Sequence, residues 1–130
     1  MLAYLKEHNG IVVHHIDTTQ PEKLAPFLSK SDSRVAMVLL ESPTNPLLQI
    51  ADLAAISDLV HQHVPAALVV VDNTMMSPYL QRPLEHGADL VYDSGTKYLS
   101  GHHDLMAGVV VCDRDDVAKV SMLYLSSNVS

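Results

Sequence analysis

Asp93-Ser94-Gly95-Thr96-Lys97-Tyr98-Leu99-Ser100-Gly101-His102-His103-Asp104 is the stretch on which the reading of this chain turns. It follows an apolar run, Ala88–Tyr92, that reads as a strand, and it sets one lysine among small hydroxyl residues in a turn punctuated by glycines. Taken alone, Lys97 is a solvated surface residue. Taken with the hydroxyls of Ser94 and Thr96, it is an amine beside two groups able to donate to a phosphate.

Working outward, the segments upstream alternate between apolar runs and helical spacing. Val35–Leu40 and Ala66–Val71 are continuous apolar runs, the pattern of strands buried on both faces. Ile11–Ile16 is rich in β-branched residues and is also expected to be a strand. Between these lie a short helix at Pro21–Leu28 and a longer one at Ile50–His63. In the longer helix Ile50, Leu53, Ala54, Ile56, Leu59 and Val60 recur at helix spacing, Asp52 can cap the start and Pro65 closes the end. Leu2–His8 and Ser77–Leu84 are expected short helices, with Gly10 and Gly87 as stops. Glu41-Ser42-Pro43-Thr44-Asn45-Pro46 must be a loop, because two prolines three apart forbid regular structure on both sides.

Downstream, Met106–Cys112 is a further strand, and Asp113 can cap a helix over Arg114–Leu125 with Asp115 and Asp116 in its first turn. The segment between Tyr92 and Met106 is short for a crossover and lacks a helical period, so Met106–Cys112 is expected to be antiparallel. The fold class that follows is α/β: a mostly parallel sheet flanked by helices, in a single domain over residues 1–130.

Composition narrows the function. The net charge of −7 comes with no basic cluster, which excludes a nucleic-acid surface. The one cysteine, Cys112, excludes an intrachain disulfide framework and suits a reducing compartment. Lys6 and Glu7 fall where a signal peptide needs its apolar run, and no apolar run approaches the length of a membrane span. A soluble, cytoplasmic protein without membrane contact is expected. The chain has eight histidines, but their spacing makes no ligand set: His14 and His15 on a strand point to opposite faces, and His61 and His63 are two apart on a helix. No metal is expected.

The informative pattern is positional. Asn45 follows the strand Val35–Leu40, Asp72 ends the strand Ala66–Val71, and Ser94, Thr96 and Lys97 follow the strand Ala88–Tyr92. If the strands are parallel, all of these lie on the rim where open sheets bind ligands. Each has a plain reading: Asp72 as a turn or helix cap, Asn45 as a loop residue, Ser94 and Thr96 as turn formers. Together they match the needs of an electron-sink cofactor such as pyridoxal phosphate. That cofactor takes an amine for its aldehyde, a carboxylate for its ring nitrogen, donors for its phosphate and a hydrogen bond to its ring hydroxyl. Asp72 emerges from an apolar run, where a carboxylate is costly unless it meets a cation. Another phosphate-binding α/β module would be expected to carry a Gly-rich nucleotide loop, which is absent.

Glu41-Ser-Pro-Thr-Asn-Pro46, Val70-Val-Asp-Asn-Thr74, Ser94-Gly-Thr-Lys-Tyr-Leu-Ser-Gly-His102 with Asp104, and Ala107-Gly108 resemble, in order and spacing, the cysteine/methionine-metabolism family of pyridoxal-phosphate enzymes, which have the aspartate-aminotransferase-like fold. Asn73–Pro78 and Tyr92–Met106 are most similar to the fungal cystathionine β-lyase type. The resemblance implies that Lys97 is the catalytic, cofactor-linking lysine. It also implies that Asp72 pairs with the ring nitrogen, that Ser94 and Thr96 hold the phosphate and that Asn45 lies near the ring hydroxyl. It implies β-elimination of cystathionine to homocysteine, pyruvate and ammonia, with γ-synthase or γ-lyase activity, or an inactive remnant, as alternatives. A homotetramer is implied as well. By the same likeness the chain is expected to be a central piece of the large cofactor-binding domain, without the upstream segment and the C-terminal domain, and inactive by itself.

Overall fold

A computed structural model describes residues 7–29, 34–102, 104–115 and 117–118. Four strands form one sheet in the order β1-β2-β3-β4: β1 Met37–Glu41, β2 Leu68–Asp72, β3 Leu90–Ser94 and β4 Gly108–Cys112. β1, β2 and β3 pair in parallel, and β4 pairs antiparallel to β3, as the short link from Tyr92 to Met106 requires. The helices are α1 Ala25–Leu28, α2 Leu53–His63 and α3 Ser77–Leu80.

α2 forms because its apolar residues fall on one face and its start is capped. The Asp52 carboxylate accepts the Ala55 N–H at 3.0 Å, and Leu53, Ile56 and Val60 are buried. That face lies on the side of the sheet carrying Leu40, Val69, Val71 and Val91, which with Ala67 and Ala88 make the core. Leu24 and Leu28, from the turn before α1 and from α1 itself, close it at one end. The opposite face of the sheet is more open: Met37 and Leu39 on β1 and Val110 on β4 remain 53%, 47% and 52% exposed.

Several expectations are corrected. Ile11–Ile16 is not a strand. It pairs with no strand among the described residues, and Ile11 and Val12 are exposed; β-branched residues favour a strand only where a partner exists. Pro21–Leu28 divides into a 3-10 turn at Pro21–Lys23 and α1. Ser77–Leu84 also divides, because Gln81 is extended and Pro83, which has no N–H to give, opens a separate 3-10 turn to His86. That turn stops at Gly87, whose φ of +83° and close approach to Ser57, 2.9 Å from a would-be Cβ, both require glycine. The segment after Tyr92 does contain helical structure, one irregular turn at Gly95–Leu99. Only Glu7 and His8 of the Leu2–His8 segment are described. The Arg114–Leu125 helix is described through Ala118, whose N–H reaches the Arg114 carbonyl at 2.9 Å; the rest of both lies outside the described residues.

At the amino-terminal rim of the parallel strands, Asp89 joins four segments. Its carboxylate accepts the Val69 N–H at 2.8 Å, the Arg114 guanidinium at 2.8 Å and the His61 ring at 2.9 Å. Burial alone would raise this carboxyl, but the Val69 amide, the Arg114 guanidinium and the His61 ring outweigh it and hold it below its ordinary value. A depressed carboxyl stabilises the fold above the unfolded-state value near pH 4, and that contribution is lost as pH falls through the folded value. Asp89→Asn is therefore expected to lower unfolding free energy by about 2 kcal/mol at neutral pH. Urea unfolding followed against pH should also show a shallower acid limb in the variant than in the wild type.

Candidate active site

At the other rim, the carboxyl ends of β1, β2 and β3 meet. The cross-strand register sets Glu41 beside Asp72 and Asp72 beside Tyr92, so the side chains that leave these strands at one level share a face. Beyond them the loops enclose a cleft of about 580 Å³ lined by Glu41, Asn45, Asp72, Thr74, Met75, Ser94, Lys97, Tyr98 and Gly101. That is the size of a small-molecule site.

Hydrogen bonds hold the lining in place. Asp72 Oδ1 accepts the Thr74 N–H at 3.0 Å, and Thr74 Oγ1 accepts the Ser94 N–H at 2.9 Å, so the ends of β2 and β3 are tied through one threonine. The loop that carries Asn45 is fixed from beneath. Gln81 Nε2 donates to the Ser42 carbonyl at 2.8 Å and to Asn73 Oδ1 at 2.9 Å, and Asn73 Nδ2 donates back to the Gln81 carbonyl at 3.0 Å. Ser42 Oγ accepts the Ala51 N–H at 3.0 Å, which links the loop to the start of α2.

Four of the five residues singled out from the sequence, Asn45, Asp72, Ser94 and Lys97, line this one cleft. Lys97 is an exposed residue at the cleft, on a backbone step of φ −89° and ψ −118° that interrupts the Gly95–Leu99 turn. Thr96 stands apart. Its hydroxyl is turned to the entry of β4, accepting the Ala107 N–H at 3.2 Å and donating to the Ala107 carbonyl at 3.4 Å. Gly95 packs against the same alanine, with a would-be Cβ 3.0 Å from the Ala107 Cβ, so glycine is what lets the lysine turn close onto β4. Thr74, Glu41 and Gln81 were not singled out. Glu41 and Thr74 are end residues of quoted motifs, but nothing in spacing or composition marks Gln81, which works through a contact 39 residues distant.

On the α2 side, beneath the cleft, lies Asp93. It is buried, and its Oδ1 has no hydrogen-bond partner among the described residues. Burial, with the Asp72 carboxylate adding to it, pushes its carboxyl up.

The family model for Cys/Met metabolism PLP-dependent enzymes matches residues 1–127. The chain belongs to this family. Members of the Cys/Met metabolism family take pyridoxal phosphate (PLP) as cofactor. A cystathionine beta-lyase of Neurospora crassa is 49% identical over 128 residues, which are 98% of this chain and 27% of that protein. The chain thus spans about a quarter of the length of this relative. Among solved structures, a methionine gamma lyase from Micromonospora echinospora superposes with a TM-score of 0.87 at 40% identity, over 97% of this chain and 34% of that one. A cystathionine gamma synthase from Xanthomonas oryzae pv. oryzae, solved in complex with cystathionine, gives 0.86 at 37% identity, over 97% and 31%.

The donor set fits the family cofactor. Among the groups bordering the cleft, the Lys97 amine, the Asp72 carboxylate, the Ser94 hydroxyl and the Asn45 amide would supply the four kinds of contact such a cofactor takes.

A test of the electrostatics follows from Asp93. A carboxyl whose folded value is raised costs stability where it is charged, above the folded value. That cost is relieved as pH falls through it and is gone below the unfolded value near 4. Asp93→Asn is expected to be more stable than the wild type at pH 8, with the gain fading toward pH 4 in thermal melts. A variant less stable than wild type at pH 8 would mean that the carboxylate has a cationic or donor partner.

Proposed function

We propose that the protein is a PLP-dependent carbon–sulfur lyase in which this chain forms the central part of the large cofactor-binding domain. Its reaction is β-elimination: cystathionine and water give homocysteine, pyruvate and ammonia. The observation that carries the proposal is the convergence of Lys97, Asp72, Ser94 and Asn45 on one cleft at the carboxyl rim of the sheet. The similarity to the Neurospora crassa cystathionine beta-lyase over 98% of the chain supports the β-elimination.

In this reading Lys97 Nζ is the amine that receives the cofactor aldehyde. With substrate bound, the same amine would be the base that takes the α-proton and the donor that returns a proton to the leaving sulfur or the product. Asp72 holds the protonated ring nitrogen, and its Thr74 contact aims the carboxylate. Ser94 donates to the phosphate. Thr96 takes part in holding the phosphate only if it gives up its bond to the Ala107 carbonyl. Asn45 donates to the ring hydroxyl. When bound, the cofactor supplies an electron sink for the pair left at the α-carbon.

The Micromonospora and Xanthomonas structures favour a second reading, γ-lyase or γ-synthase activity on the same cofactor shell. A cytoplasmic homotetramer completes the proposal. Among the described residues no helix is long and apolar enough to cross a membrane.

Pyridoxal phosphate added to the protein and fixed with borohydride should label Lys97 alone among Lys6, Lys23, Lys30, Lys97 and Lys119. Peptide mapping reads the outcome, and label scattered over the other lysines would contradict the assignment. Pyruvate release from cystathionine by the protein at its full natural length separates lyase from synthase; the 130 residues alone are expected to release none.

A further inference from the structure

Asp72 must present a carboxylate to a ring cation in one orientation, yet among the described residues the backbone holds it at one oxygen, by the Thr74 N–H to Oδ1 at 3.0 Å. A carboxylate held at one oxygen can still swing about its last bond. A second donor stands on the adjacent strand. Tyr92 pairs with Asp72 in the parallel register of β2 and β3, so the two side chains leave the same face side by side, and the phenol hydroxyl faces the Asp72 carboxylate. Tyr92 is not among the residues that line the cleft; it stands beside Asp72 on the neighbouring strand.

We propose that Tyr92 is a positioning residue for the acid of the site, its hydroxyl donating to Asp72 so that the carboxylate stays aimed into the cleft at an aromatic nitrogen cation. The inference rests on the proposed function, since it concerns the same acid. It names a residue that the cleft lining omits.

Three features support it. The hydroxyl keeps its proton: burial, then the Asp72 carboxylate with its hydrogen bond, then the Glu41 carboxylate, push the phenol up to about 12, so across the neutral range it can only be a donor toward Asp72. Neighbouring anions explain the placement too. Glu41, Asp72 and Tyr92 stand in one row across three strands, and a neutral donor at the third position relieves Asp72 without taking away the charge a cation needs. Finally, Tyr92 is held at its own backbone: its carbonyl accepts the Asn73 N–H at 2.9 Å, next to Asp72 in sequence, so the backbone segments that carry phenol and carboxylate are tied to each other.

The test uses the protein at its full natural length, with pyridoxal phosphate as the probe and its dissociation constant read by absorbance titration. Tyr92→Phe keeps the ring and deletes only the donor. It is expected to weaken binding about tenfold, as loss of a donor to a charged acceptor does. The melting temperature of the cofactor-free protein should stay within about 2 °C of wild type, because the packing ring is retained. In an Asp72→Asn background the same substitution should change binding less than about twofold, because its effect runs through the carboxylate. Tyr92→His, which keeps a ring donor, should fall between wild type and Phe.

Equal binding by wild type and Tyr92→Phe overturns the proposal. So does an equal loss in the Asp72→Asn background, or a loss that tracks a lowered melting temperature of the cofactor-free protein; both point to packing. If the wild type takes borohydride label at Lys97 and Tyr92→Phe binds as wild type does, this inference fails while the proposed function stands. If the wild type takes no label at Lys97, both fail.

Discussion

The parallel pairing of β1, β2 and β3 is the constraint on which the site depends. In a parallel sheet every strand ends on the same rim, so residues far apart in sequence are delivered to one place by backbone hydrogen bonds alone. Glu41, Asp72 and Tyr92 stand level across three strands because the register puts them there, and one residue of slip would send Asp72 to the α2 side. The register is held by burial. Leu40, Val69, Val71 and Val91 point to α2 and are nearly sealed from water, so the alternate residues must point to the other face.

The two rims divide the work. At the amino rim, Asp89 collects an amide, a guanidinium and an imidazole, using both carboxylate oxygens to hold segments together. At the carboxyl rim, Asp72 is left with room for a ligand, and Asp93 on the other side of the sheet has an oxygen without a partner among the described residues. Near-identical chemistry, three aspartates at strand ends, thus serves three ends. What differs is the number of donors each carboxylate meets and the face it occupies.

Much of this was legible in the sequence. The apolar runs marked β1, β2 and β3, and the short link after Tyr92 marked β4 as antiparallel. The helix period with Asp52 before it marked α2 and its cap. Because strand ends share a rim, four of the five named site residues fall in one cleft. What was not legible depended on partners distant in sequence. Ile11–Ile16 has the composition of a strand but pairs with no strand among the described residues. Thr96 looks identical to Ser94 in a string of hydroxyl residues, yet its hydroxyl is engaged by Ala107 once β4 folds back. Tyr92 opens a quoted run and Gln81 lies in none, yet what each of them meets is set by the register and by a contact across 39 residues.

The central claim is that the rim of this sheet is built around one cofactor, gripped at one end by the Lys97 amine and at the other by the Asp72 carboxylate. A crystal structure of the protein grown with pyridoxal phosphate tests it most directly. Electron density continuous between the cofactor and the Lys97 side chain is expected, with an Asp72 oxygen at hydrogen-bond distance from the ring nitrogen. Density joined to any other lysine, or a ring nitrogen turned away from Asp72, would contradict it.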